Sequence, residues 1–167
     1  APIRALRQAL RERGFRTFGL YAASLKDPEA AAWIAAEMTR LAPAIIVNAT
    51  AFSGRGADGR SPLDCADRPV LQVALSTARR EEWRAAERGL SPGDLAMHVV
   101  LPEVDGRIFA GVVSFKAPQA HDADLDFSRS AHGADLERVA AVADKARALV
   151  ALAQTPASQR RVAFVLS

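Results

Sequence analysis

Two short apolar runs constrain this chain more than any other feature: AIIVNA at 44–49 and PVLQVALS at 69–76. Each is too short to be a buried helix. Neither shows the strict apolar–polar alternation of a strand with one wet face. The first reads as a strand covered on both faces, the signature of a parallel sheet, and the second as the next strand. Parallel strands need crossover connections, so helices must lie between them.

The rest of the chain supplies those helices. Residues 2–13 carry Ile3, Leu6 and Leu10 at helical spacing, with Pro2 suited to a first turn and Gly14 to a stop. Residues 15–22 read as a strand containing Phe18, Leu20 and Tyr21. Asp27-Pro28-Glu29 opens a helix that runs to Leu41, buries Trp33, Ile34, Met38 and Leu41, and stops at Pro43. Residues 77–88 read as a helix carrying Trp83, ended by Gly89. Ser91-Pro92-Gly93-Asp94 caps a short helix through Ala96. Residues 97–101 and 108–115 then read as two strands, and Asp105-Gly106 between them predicts an antiparallel hairpin. The polar stretch 117–133 reads as a long exposed loop. Residues 134–152 have the stripe of a long helix, and 162–166 read as a final strand. The expected fold is a layered α/β domain of the flavodoxin or Rossmann kind, with a mostly parallel sheet and helices on both faces. Its bounds are 1–155, with 156–167 as a linker and strand belonging to a neighbouring region. Ligands of such sheets sit beyond the carboxyl ends of the strands, which singles out 48–59, 76–80 and 101–106.

Composition excludes several classes. Half of the 167 residues are hydrophobic and 25% are charged, so the chain is not disordered. Area scaling predicts a folded surface of roughly 8,000 Å². Of 22 basic residues, 19 are Arg, interleaved with acids, and the net charge is only +3. Aromatics are 6%, without a basic stripe, which argues against a nucleic-acid partner. No apolar run is long enough to span a bilayer. The single Cys65 excludes an internal disulfide and a cysteine zinc cluster. With no signal peptide, a cytoplasmic setting is expected.

Some motifs are decoys. The loop Gly54-Arg55-Gly56-Ala57-Asp58-Gly59-Arg60-Ser61 matches GxGxxG and nearly matches a phosphate loop. It opens no helix directly, and Arg60 stands where the phosphate loop needs a compact lysine. Ser53 lacks the GxSxG elbow of a nucleophile. The acids after His121 fail the calcium-loop pattern, with Phe127 at position six and Gly133 at position twelve. Residues 101–107 (LPEVDGR) are more informative, because two acids two apart flank a turn. If 97–101 were a strand, His98 and Glu103 would point to opposite faces unless Pro102 broke it.

A set of short motifs then falls into one order: NATAFS at 48–53, PLD at 62–64, PVLQV at 69–73, Glu82-Trp83, GLSPGDLAM at 89–97, LPEVDGRI at 101–108 and VSFK at 113–116. In this combination the chain resembles the large subunits of aerobic cobaltochelatases of the CobN type, relatives of the magnesium chelatase large subunit. The similarity is strongest over 44–116 and continues more weakly to 161–166. It implies an ATP-dependent cobaltochelatase that inserts Co²⁺ into the tetrapyrrole hydrogenobyrinic acid a,c-diamide on the aerobic route to cobalamin. It also implies that AAA+ ATPase partner subunits, not this chain, use ATP. Family subunits are much longer than this chain, which therefore resembles an internal fragment, inactive alone. The stretch Ile108-Phe109-Ala110-Gly111 departs from the family, which often carries a basic residue there.

Metal insertion requires an ion stripped of water and two pyrrole N–H protons removed. A carboxylate can do both, and imidazole suits cobalt. The expected catalytic residues are Glu103 and Asp105. The expected metal ligands are Glu103 and His98. Asn48, Thr50, Phe52 and Ser53 are expected to line the tetrapyrrole cleft. Two rival expectations are a scaffold or partner-docking domain of the same subunit, and a small-molecule binding module of periplasmic-receptor type.

Overall fold

The computed structural model describes residues 1–122 and 127–165. Helix α1 (Pro2–Glu12) starts on Pro2 and ends where Gly14 takes φ +88°. Helix α2 (Pro28–Leu41) is capped by Asp27, whose carboxylate accepts from the Ala30 N–H at 2.8 Å. Strands β1 (Ile46–Asn48) and β2 (Val70–Leu75) are the two apolar runs. Helix α3 (Arg80–Ala85) follows. Ser91 then caps a continuous helical stretch: α4 (Pro92–Leu95), a π-helical turn (Ala96–Val100) and α5 (Leu101–Val104). Strands β3 (Ile108–Asp122) and β4 (Phe127–Ala134) precede helix α6 (Leu136–Gln154).

The sheet order is β1-β2-β3-β4. The first three strands are parallel, as the apolar runs predict, and β4 is antiparallel to β3. On one face, Leu6 and Ala9 of α1 and Val139, Val142 and Ala143 of α6 pack on Val73 and Val113. A two-pronged contact from Arg13 to Asp144, at 2.8 and 2.9 Å, ties α1 to α6. On the other face, Ile34 and Met38 of α2 cover Ile46 beside Leu25 and Leu63. Leu90 and Val112 pack there with Ala74, Val99 and Trp83.

Four sequence expectations are corrected. Residues 97–101 are helical, so the hairpin at 97–116 does not form. Parallel β2 and β3 are direct neighbours, so the chain between them must return along the sheet, and the helix from Pro92 to Val104 makes that return. The antiparallel hairpin is instead β3–β4, which occupies much of the stretch read as a loop over 117–133. The acidic run at 123–126 lies outside the described residues. Residues 15–22 form no strand: Arg11 reaches Thr17 at 3.0 Å and Arg7 lies against Gly19, holding the segment to α1. Residues 162–165 form no strand either, and Leu166 lies outside the described residues.

The accessible surface is 11070 Å², against the roughly 8,000 Å² that area scaling predicts. Segments outside the core contribute to the excess, with Phe18, Tyr21, Phe164 and Val165 all exposed. Trp33, expected inside, is also half out.

Candidate functional site

Two polar centres lie on the α2 side of the sheet. The first begins at Gln72, which is fully buried in β2. Its side-chain oxygen accepts from Asn48 Nδ2 at 2.8 Å and from Arg107 Nη1 at 3.2 Å. Its Nε2 donates to the Thr50 carbonyl at 3.0 Å. Asn48 also reaches the Thr50 hydroxyl at 3.0 Å. Arg107 Nη2 donates to Asp105 at 2.9 Å, and both side chains are almost solvent-free. Asp105 further accepts from the Ser53 hydroxyl at 2.7 Å and the Gly54 N–H at 2.6 Å. The half-exposed Arg55 lies 3.5 Å from it. Burial pulls Arg107 below the ordinary guanidinium value, and Asp105 opposes that shift.

This network explains a glycine of the GxGxxG decoy. A Cβ on Gly54 would collide with the Arg107 guanidinium and press on Leu25. The glycine lets a backbone pass over a buried ion pair, and no phosphate is needed to account for it. Phe52 takes φ +66°, donates its N–H to the Met97 carbonyl at 2.8 Å, and leaves its ring exposed.

That contact depends on the π-helical turn. Pro102 has no N–H for the His98 carbonyl four residues back, and its ring crowds that carbonyl. The helix widens over Ala96–Val100, directly before it.

The same turn builds the second centre. Asp94 is 1% exposed. Its carboxylate accepts from the Ser76 hydroxyl at 2.9 Å, the Thr77 N–H at 2.8 Å and the Thr77 hydroxyl at 3.0 Å. One turn later His98 is buried, and its Nδ1 has no hydrogen-bond partner among the described residues. On β4, His132 Nδ1 lies 3.2 Å from the Ser114 hydroxyl. Burial lowers the pKa of His98, with His132 adding to the effect and Asp94 opposing it. Burial and then Lys116 lower that of His132, again against Asp94. Both imidazoles are therefore held neutral at pH 7.

The structure thus brings Asn48, Thr50, Ser53 and Asp105 together, but as a self-satisfied network. Phe52 stands at its rim. Glu103 is exposed on the last turn of α5, and its carboxylate makes no hydrogen bond among the described residues. His98 belongs to the other centre. Sequence reasoning missed Gln72, Arg107, Asp94 and His132. A polar residue inside an apolar strand was the available signal for Gln72, and proximity to Ser76 after β2 was the signal for Asp94. Among the described residues, no group of three or more His, Cys, Asp or Glu is placed to hold a metal ion. No helix among them is long and apolar enough to cross a membrane.

A family model described as CobN/Magnesium Chelatase matches residues 1–167. The chain is 39% identical over 170 residues to an aerobic cobaltochelatase subunit CobN from Sinorhizobium sp, covering 99% of this chain and 13% of that protein. It is 37% identical over 162 residues to the subunit of the same name from Pseudomonas aeruginosa, covering 96% and 13%. Among solved structures, the catalytic subunit of cobaltochelatase from Mycobacterium tuberculosis superposes with a TM-score of 0.74 at 30% identity, over 96% of this chain and 14% of that one. The chain thus spans 13% of the length of the curated relatives it matches.

Proposed function

The chain belongs to the CobN/magnesium chelatase family, and from that premise we propose that it is a segment of the tetrapyrrole- and metal-binding large subunit of an ATP-dependent cobaltochelatase. In this reading the whole subunit inserts Co²⁺ into hydrogenobyrinic acid a,c-diamide during aerobic cobalamin synthesis in the cytoplasm. Separate AAA+ subunits hydrolyse the ATP. Residues 1–155 form the α/β unit of this segment, of flavodoxin or Rossmann kind, and 156–167 connect it to a neighbouring region. The observation that carries the reading is 39% identity to a cobaltochelatase subunit along essentially the whole chain.

Insertion needs a base for the pyrrole protons and a hard or borderline ligand to strip water from the ion. Glu103 suits both needs, because its carboxylate is exposed and committed to no partner among the described residues. Asp105 does not compete for that role in this reading. Its oxygens hold Ser53, Gly54 and Arg107, so it positions the loop that carries Phe52. The exposed Phe52 ring offers an apolar face for a macrocycle. Asn48 and Thr50 brace the same loop from beneath.

The test is Glu103→Gln in the full-length subunit, assayed for cobalt insertion with its ATPase partners. The expected result is a fall of about 100-fold or more, the range of general acid–base contributions. Unchanged insertion by an assembled complex would overturn the assignment.

A further inference from the structure

A cleft of about 420 Å³ opens beyond the carboxyl ends of β2 and β3, away from both polar centres. Ligands of parallel sheets sit at such strand ends, and the volume lies in the range of small-molecule pockets. Phe115, buried against Trp83 with 5.2 Å between ring centroids, lines it. Leu136, 70% exposed, adds a second apolar wall. Arg79, shortly after β2, and Lys116 on β3 also line the cleft, and both are exposed. The Lys116 N–H donates to the Ala78 carbonyl at 3.0 Å, which sets Lys116 beside the residue before Arg79. Neither cation has a carboxylate partner among the described residues. The third cation, Arg80, is committed: it holds Asp135 at 2.6 Å and approaches Glu137 at 3.8 Å. Arg79 and Lys116 are thus left with Glu81 as the one uncommitted acid of the lining. The two helix starts at the cleft are already served by this chain. Glu82 accepts from the Arg79 N–H at 3.0 Å, and Asp135 from the Arg138 N–H at 3.3 Å.

The geometry points to a binding site in this cleft for a monocarboxylic acid with an apolar body, held at its carboxylate by Arg79 and Lys116. The planar fork of Arg79 matches a carboxylate, and Lys116 adds a second charge-assisted donor. Two uncommitted cations over one acid leave a surplus that a single negative charge balances. A phosphate dianion exceeds that surplus, and Glu82 and Asp135 occupy the helix starts that would otherwise cradle it. The apolar body of the acid rests against Leu136 and Phe115, as the mostly apolar walls of small-molecule sites allow. The cleft is separate from Glu103. At roughly 3.3 Å per residue, the run of β3 from Ile108 to Lys116 sets it about 20 Å or more from the Glu103 end of the sheet. The site therefore does not rest on the chelatase reading above.

Titration of the full-length subunit with sodium 4-phenylbutyrate, followed by saturation-transfer NMR, tests the site. The wild-type subunit should bind the acid. 4-Phenylbutyramide has the same shape without the charge and should bind ~10-fold more weakly or worse, the loss expected for hydrogen bonds to a charged group. Arg79→Gln and Lys116→Gln should each weaken the acid by ~10-fold on the same ground. Both residues are exposed, so the variants should keep the wild-type urea midpoint. Absence of binding, unchanged affinity in both variants, or equal affinity for acid and amide overturns the inference. So does 3-phenylpropyl phosphate binding more tightly than the acid. The readout is ligand affinity, so a failed assignment of Glu103 in the insertion assay leaves this result untouched.

Discussion

Arg107 turns back across Gly106 to bond Asp105 at 2.9 Å, and the two side chains are 2% and 1% exposed. This buried pair, two residues apart in sequence, joins the end of the long helical stretch to the start of β3 and holds the glycine-rich loop in place. Removing one partner leaves the other charge buried and unpaired. Asp105→Ala should therefore cost about 3–5 kcal/mol of stability. Urea unfolding measures it, and a loss below about 1 kcal/mol would show that the pair is not buried as described.

Gly54→Ala tests the same centre from the loop side. The added methyl meets the Arg107 guanidinium and Leu25. Overpacking of this kind costs about 1–3 kcal/mol. Arg107→Ala, which empties the space, should make the further Gly54→Ala change much cheaper, and a double-mutant cycle reports the coupling. Strictly additive effects would contradict the contact.

The second centre predicts a different loss. Asp94→Ala deletes three hydrogen bonds to a charged group. Each such bond contributes about 1.5–3 kcal/mol. The destabilisation should exceed about 2 kcal/mol, whereas exposed Glu103→Gln should stay within about 0.5 kcal/mol. Equal thermal shifts for the two variants would reject the distinction drawn between these carboxylates.

The two histidines make stability depend on pH. Both have folded pKa values lowered by burial, so the unfolded chain binds protons more readily in this range. Their contribution is present above the ordinary histidine value of about 6.5 and is lost as pH falls through the lowered folded values. Asp94 opposes the shift of each, while His132 and Lys116 reinforce it for His98 and His132 respectively. The urea midpoint should fall on going from about pH 7.5 to about pH 5.5. His98→Gln with His132→Gln should flatten that slope. A slope unaltered by the double change would place the pH dependence elsewhere.

Much of the architecture was legible because its signals are local. The caps at Asp27 and Ser91, the stop at Gly14 and the amphipathic stripe of α6 each depend on residues within a turn or two. The mainly apolar runs of β1 and β2, interrupted only by Asn48 and Gln72, lack the alternation of a strand with one wet face and so signal a parallel sheet. The misread segments lack such closure. Met97–Leu101 has β-branched Val99 and Val100, and Asp105-Gly106 invites a hairpin. The parallel pairing of β2 with β3 overrides both, because only a returning helix can connect them.

By itself, the sequence determined the family, the parallel core and the presence of reactive side chains near 48–53 and 98–105. Tertiary structure decided which of those side chains remain available. Asp105 and Glu103 are two residues apart and chemically alike. One is consumed by Ser53, Gly54 and Arg107, and the other faces solvent. Likewise Asp94, His98 and His132 share no sequence spacing that announces a site. Asp94 binds the end of β2 through Ser76 and Thr77, and His132 reaches Ser114 because β4 folds back along β3. Burial and hydrogen-bond commitment are properties of neighbours brought from far along the chain, and no local pattern encodes them.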